Sequence, residues 1–513
     1  MKKIRLFLPL VLLLSCAERD PALVNGLMID AARLLERQDY YYRLVDFMAD
    51  WKMNTLLLHF SDDHGLSVAI PGYEKLARRQ AFTPDDILRF TAYASERGID
   101  IIPELEVFGH TRYITDHPDY AHLFLGDRSG TVSFNAIDPL NPESIALMTD
   151  MIAKTAKLFP SNFLHIGCDE VNLAPLGIND RENKAQIWTD YVNILIAAVH
   201  KSGKIPMIWS DHLRKDELIA QNLRKDVVVV EWNYVPDYRP GNLNDLNEMG
   251  YYSIIMAPSI SCYLTRVLPV RPALRNVDAL AASVRDETAA GMINTLWLPM
   301  RYLQDAMWYG IAYSAWLIDK GRPMDLQAFH RHFVRKLFGL RPDRDLAYYL
   351  QRWPDLHLDY RIWTAFAQGR TDIAEDPRYR EQVRSVYKLS SELSADPPAV
   401  RPRRNAEILQ SMYLATDVMQ VFSEGLLILG GENFLPQEIS EWRRRLAIVS
   451  DAVDADWDRG RYADDPAKLA AKFANQTSSH LLILLKIMAD AADKQFPYAQ
   501  IPAENFAERP REE

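Results

Sequence analysis

Between Asn25 and about Lys320 the chain alternates short apolar runs with longer stretches of helical period. The runs are Gly26–Ile29, Thr55–Phe60, Ile99–Leu105, Phe163–Gly167, Lys204–Trp209, Val227–Trp232, Tyr252–Ala257 and Ile293–Leu298. Each is continuous rather than alternating, as expected of a strand buried on both faces of a parallel sheet. Between them the spacing predicts helices over Tyr40–Trp51, Pro84–Arg97, Pro142–Phe159, Ala185–His200 and Val277–Ala290. Pro84 and Pro142 sit where a first helical turn tolerates proline, and Gly98 and Gly203 where a helix stops. Eight strands alternating with helices over this length predict an α/β fold, a (β/α)8 TIM barrel. No GxGxxG follows the first run to support an open doubly wound sheet.

Beyond about Arg341 the strand-like runs cease. Helical apolar spacing takes over in Arg378–Leu393, Ala406–Leu427, Glu438–Trp457 and Ala467–Ala492, with proline-rich breaks at Pro397–Pro402 and near Pro436. The expected organisation is therefore a signal segment over 1–16, a (β/α)8 barrel over 17–340 and an α-helical C-terminal domain over 341–513. The first residues are read as targeting sequence: Lys2, Lys3 and Arg5 precede an apolar run from Leu6 to Leu14, too short to span a bilayer. The run ends in Leu-Leu-Ser-Cys, similar to a bacterial lipobox. That implies lipidation of Cys16 and a bacterial cell-envelope location, periplasmic or on the outer-membrane surface.

The formal net charge of −10 argues against a nucleic-acid partner, which needs a basic face. The three cysteines, Cys16, Cys168 and Cys262, fit neither a zinc spacing nor a disulfide framework.

On a barrel, polar residues just past the strand C-termini gather on one face, so reading them off gives a candidate site. They are Asp30 and Arg33; Asp62, Asp63 and His64; Glu106 and His110; Asp169 and Glu170; Ser210 and Asp211; Asn233 and Tyr234; then Ser259 and Tyr263. Trp209, Trp232 and Trp297 end three different runs, and an aromatic wall with carboxylates at its rim suits a sugar. The adjacent Asp169 and Glu170 are open to acid/base chemistry, metal binding or helix capping. They can act together only if the backbone turns where they stand, since neighbours on a regular strand face opposite ways.

These residues resemble the family 20 glycoside hydrolases, the β-N-acetylhexosaminidases. His165-Ile-Gly-Cys-Asp-Glu-Val171 is similar to the family signature HxGxDE. Gly26–Arg33 looks like its opening strand, His59–Asp63 its second strand end, and Ile102–Thr111 its third. The likeness is nearest to the hexosaminidase D branch, at HIGCDEV, Phe108–His110 and Ala121–Leu123, and it covers roughly Asn25–Leu317. It implies a retaining exo-β-N-acetylhexosaminidase removing terminal GlcNAc or GalNAc from glycans, with no cofactor and no metal. In that family the substrate's own acetamide oxygen attacks C1, an exception to the usual two-carboxylate scheme. The resemblance implies Glu170 as acid/base and Asp169 as the carboxylate that orients the acetamide and balances the oxazolinium charge. It also implies substrate binding by Arg33, Trp209, Trp232, Tyr263 and Trp297, with His110 and Asp62 supporting the acid.

Two places depart from the family pattern. Thr265 stands where an Asp or Asn is usual, and Pro299 where a Glu is usual. Both positions bind sugar hydroxyls in the family, so a modified amino sugar such as a sulfated one, or a non-catalytic glycan-binding lipoprotein, stays open.

Overall fold

The computed structural model describes residues 23–126, 136–238, 241–261, 266–286, 288–341, 343–461 and 481–495. The strands, in chain order, are β1 Val24–Asp30, β2 Thr55–His59, β3 Ser61–Asp62, β4 Gly65–Val68, β5 Ala77–Phe82 and β6 Asp100–Glu104. They continue as β7 Phe163–His165, β8 Ile205–Trp209, β9 Val228–Trp232, β10 Ile254–Ala257, β11 Ser259–Ser261 and β12 Gly291–Leu296. The main sheet runs β1-β2-β6-β7-β8-β9-β10-β12, and β12 pairs back on β1 to close the barrel, with every pairing parallel. Its eight strands coincide with the eight apolar runs, and β11 prolongs β10 along the edge of β12.

The two-residue period of the strands sorts side chains between interior and exterior. Met28, Leu57, Ile102, Met207, Val228, Val230, Ile255, Ala257 and Ile293 fill the barrel as one apolar cluster. Outward-facing residues such as Leu56, Leu58, Ile101 and Val229 join the larger core against the surrounding helices. One further step of the alternation, at the strand C-termini, replaces apolar residues by Asp30, His59, Glu104 and His165, all buried. The site therefore stands directly on the barrel core.

The helix expected over Val277–Ala290 begins earlier, at Arg271, and ends at Arg285. A small three-stranded sheet, β3 antiparallel to β4 and β4 parallel to β5, follows the second barrel strand, and its two-to-six-residue strands carry too little period to be read from sequence. Gly98 and Gly203 do end their helices with positive φ, 73° and 75°.

The C-terminal region is helical, with Arg344–Arg352, Tyr360–Ala367, Pro377–Ala395, Ala406–Leu429, Pro436–Gly460 and Leu481–Gln495. Ala406–Leu429 is long and apolar enough to cross a membrane, yet 78% of its most apolar window is buried inside the protein. It is the central helix of this region: Trp363 stacks on Phe422 at 4.1 Å, and Trp442 donates to the Val421 carbonyl at 2.8 Å. The first part of the stretch Ala467–Ala492 lies outside the described residues.

Candidate active site

The end of β7 holds the two carboxylates. After His165 the chain leaves the sheet, and Gly167, Cys168 and Glu170 take positive φ values of 61°, 72° and 51°. For the two non-glycine residues this conformation costs roughly 1–2 kcal/mol each, and such strain persists only where the surroundings impose it. The imposing contacts are visible. The Glu170 N–H donates to Asp211 Oδ2 at 3.2 Å, and the Val171 N–H to His212 Nε2 at 3.0 Å. Gly167 packs against the Glu106 carboxyl and Gly109 against the Asp169 carbonyl, so a methyl at either place would overlap its neighbour.

The result answers the question left by the adjacency of Asp169 and Glu170. Both reach the same imidazole: His110 Nε2 lies 3.7 Å from Asp169 Oδ2 and 3.5 Å from Glu170 Oε2. Asp169 is 14% exposed and Glu170 36%, so the first is the more deeply set of the two. On the far side, His110 Nδ1 bonds Asp63 Oδ2 at 3.3 Å and lies 3.5 Å from Asp62 Oδ2. The supporting carboxylate is thus shared by Asp62 and Asp63, with Asp63 making the hydrogen bond.

Charge is distributed unevenly. Burial works against a charged His110, yet Asp169, Asp63 and Glu170 outweigh it and raise its pKa well above the usual imidazole value. Burial pushes the Asp169 carboxyl up to about 7, with Asp211, Glu170 and Glu104 adding to the rise and His110 opposing it. Asp169 Oδ1 is buried with no hydrogen-bond partner among the described residues.

Arg33 is fixed by two carboxylates, Nη1 at 2.9 Å from Asp30 and Nη2 at 2.8 Å from Asp62. Its guanidinium lies 5.1 Å from the centre of the Trp297 ring. Beneath it runs a buried polar chain that the sequence reading left unassigned. His59 Nδ1 lies 3.0 Å from Glu104 Oε2, and Trp209 Nε1 donates to Glu104 Oε1 at 2.7 Å. His165 packs tilted against Trp209 at 4.5 Å, and burial pulls its pKa down to about 4 against the attraction of Glu104. Glu106 is fully buried, and its raised pKa comes first from burial and then from Asp169. His59, Glu104 and Glu106 lie close enough together to offer ligands to a cation, as do His110, Asp169 and Glu170. In the first group Glu104 is engaged by His59 and Trp209, whereas both Glu106 carboxyl oxygens are buried with no hydrogen-bond partner among the described residues.

The three tryptophans do converge, with different duties. Trp209 is 1% exposed and belongs to the barrel core, so it is a floor. Trp297 crosses it at 5.9 Å and remains partly exposed. Trp232 packs on Tyr234 at 5.2 Å, and the Tyr234 hydroxyl accepts from Trp297 Nε1 at 2.6 Å, joining the two walls. Tyr263, Thr265 and Cys262 lie outside the described residues, as does Cys16. Cys168 is a free, buried thiol.

The chain is similar to known proteins. Over 250 residues the chain is 31% identical to a β-hexosaminidase of Vibrio furnissii, covering 40% of this chain and 39% of that protein. It is 27% identical over 270 residues to hexosaminidase D of Bos taurus, covering 48% of this chain and 75% of the relative. Among solved structures, an exo β-N-acetylglucosaminidase from Vibrio harveyi bound to N-acetylglucosamine is 23% identical, with a TM-score of 0.48 over 60% of this chain and 56% of that one. The chain spans well under half the length of several curated relatives, 39% for the Vibrio furnissii protein and 19% for a lacto-N-biosidase of Bifidobacterium bifidum. Residues 25–286, half of the 513, match the family profile of the glycosyl hydrolase family 20 catalytic domain. The chain belongs to glycosyl hydrolase family 20.

Proposed function

We propose that the protein is an exo-β-N-acetylhexosaminidase that cleaves terminal β-linked GlcNAc or GalNAc with retention, using the substrate's acetamide as nucleophile. The observation that carries this reading is the turn at Gly167–Glu170, which brings two carboxylates of different exposure to one imidazole beside an aromatic wall. In the first step the acetamide oxygen bonds to C1 as the C1–O bond to the leaving group breaks, and Glu170 gives that oxygen its proton. In the second step water bonds to C1, the oxazolinium ring opens, and Glu170 takes the water's proton. Asp169 accepts the acetamide N–H and sets a negative charge beside the oxazolinium cation. His110 sits between this pair and Asp63, placed to steady both carboxylates. Arg33, held rigid by Asp30 and Asp62, presents its remaining N–H donors to vicinal hydroxyls. Trp297 and Trp232 cover the sugar and its N-acetyl methyl group.

The test is a panel of aryl β-glycosides of GlcNAc, GalNAc and 6-sulfated GlcNAc, with and without a GlcNAc-thiazoline, which mimics the oxazolinium ring. Hydrolysis blocked by the thiazoline is expected. Turnover of an N-acetyl substrate that ignores the thiazoline would replace this scheme with an ordinary two-carboxylate glycosidase. Pro299 offers no side-chain acceptor and its carbonyl is taken by Arg461, so preference for the sulfated sugar is the outcome that would redefine the substrate.

We also place the protein on the bacterial envelope through a lipid on Cys16, following the basic, apolar and Leu-Leu-Ser-Cys order of residues 1–16. Expressed in a bacterium fed an alkyne fatty acid, the protein should take up label, and Cys16→Ser should take up none. Equal labelling of both would end this assignment.

A further inference from the structure

The helix Pro436–Gly460 delivers Arg461 into the base of the site rim, where it is 3% exposed. Its Nε lies 3.1 Å from both carboxyl oxygens of Glu36, and its Nη2 donates to the Pro299 carbonyl at 2.8 Å and the Tyr302 carbonyl at 3.4 Å. Its planar group lies 4.1 Å from the Trp457 ring centre. Backbone bonds fix the same junction: the Arg37 N–H donates to the Gly460 carbonyl at 3.0 Å, and Glu36 bridges Arg461 in antiparallel fashion. Trp457, Leu34 and Met300 seal it as a small apolar cluster, with Leu298 packed against it.

What Arg461 joins is the seam of the barrel. Glu36 belongs to the loop after β1, which carries Arg33, and Pro299 to the loop after β12, which carries Trp297. The two loops meet at the sugar site itself, where Arg33 lies over Trp297 and the Leu298 N–H donates to Asp30 at 3.0 Å. Leu298 holds a positive φ of 58°, so its loop adopts a conformation that its neighbours must maintain. A buried ion pair is a poor source of stability, because desolvating two charges offsets most of their attraction. A planar fork that serves one carboxylate and two carbonyls on another loop fixes geometry instead.

We infer that Arg461, supplied by the helical C-terminal region, is a positioning residue for the sugar site, holding Arg33 and Trp297 in register across the seam between the first and last barrel strands. This rests on the assignment of those two side chains to substrate. It gives the C-terminal helices a part in binding, added to the bridge that Asp30 makes between Arg33 and the Leu298 N–H.

The experiment compares wild type with the double variant Glu36→Leu/Arg461→Met, which removes both buried charges while keeping apolar bulk, and with Arg461→Lys. Melting temperature, kcat and KM are measured on an aryl β-GlcNAc, and GlcNAc affinity by calorimetry. A purely structural pair predicts that a double variant melting with the wild type has wild-type kinetics. The positioning role predicts KM raised about tenfold with kcat within about twofold, since displaced binding groups weaken substrate capture before they weaken the bond-breaking step. GlcNAc affinity should fall in parallel. If the double variant does not fold, Arg461→Lys decides, because a single ammonium cannot serve Glu36 and the Pro299 carbonyl together; its KM should rise about threefold. Unchanged KM in a folded variant, or a loss confined to kcat, overturns the inference. Absence of turnover by the wild type counts against the proposed function alone, since GlcNAc titration still reads the seam.

Discussion

Replacing Glu170 by Gln lowers kcat/KM on an oligosaccharide substrate by about 10³-fold, within the usual range for losing a positioned acid/base. Glutamine keeps the shape and the neighbouring His110 contact but cannot deliver a proton to the departing oxygen. The loss should depend on the leaving group. A dinitrophenolate departs without protonation, so the bond-breaking step survives on that glycoside, whereas an alkyl or sugar alkoxide cannot leave unassisted. The second step still needs a base to take the proton from water, so turnover on the dinitrophenyl glycoside slows after a rapid first release. A burst of dinitrophenol followed by a slow steady state is the expected trace. The measurement is pre-steady-state release together with kcat/KM across phenols of graded acidity. A loss that is the same for every leaving group would remove Glu170 from the acid's role.

How much of this site was legible beforehand follows from where each residue sits on its strand. Arg33, Asp62, Asp169 and Glu170 lie just past apolar runs, where the change from apolar to charged marks both the strand end and the face that carries the candidate site. His59, Glu104 and His165 lie inside the runs, on the inward alternate; they fall within the motifs that carry the resemblance, but nothing in a run shows which polar side chain it will meet on the next strand. Their partnership exists only because β2, β6 and β7 are neighbours in the closed barrel. Asp211 stood in the list of strand-end residues, but its part in fixing the Glu170 backbone comes from a hydrogen bond across 41 positions of sequence. The small β3–β5 sheet was hidden by the shortness of its strands. Arg461 was invisible for a different reason: Glu36 lies 425 positions away, and nothing in a helix end indicates which barrel loop it will meet.

Asp169→Asn should lower kcat/KM by about 10²–10³-fold, the scale of removing one preorganised group that stabilises developing charge. The amide still fills the space, but it sets no negative charge beside the oxazolinium and can turn its NH2 toward the acetamide N–H. The wild type should carry an acid limb in kcat/KM, because Asp169 must be ionised to act and its carboxyl is pushed up to about 7 in the free protein. Activity then rises as pH climbs through about 7, and that limb should vanish in the Asn variant. Stability moves the opposite way. The raised pKa means that the folded state holds a proton which the unfolded chain, with an ordinary aspartate, has released. Between about 4 and about 7 the unfolded state therefore binds fewer protons, and folding stability falls as pH rises through that window. Asparagine has no proton to release, so the variant should gain on the wild type in melting temperature across the same interval and hold that gain above it. Two curves check this, kcat/KM against pH and melting temperature against pH for both proteins. A wild-type acid limb retained in Asp169→Asn would assign it to another group, with His110 the next to test. A variant that gains no stability above pH 7 would mean that burial of Asp169 is fully offset by His110, and that the folded protein bears no strain from the carboxylate its chemistry requires.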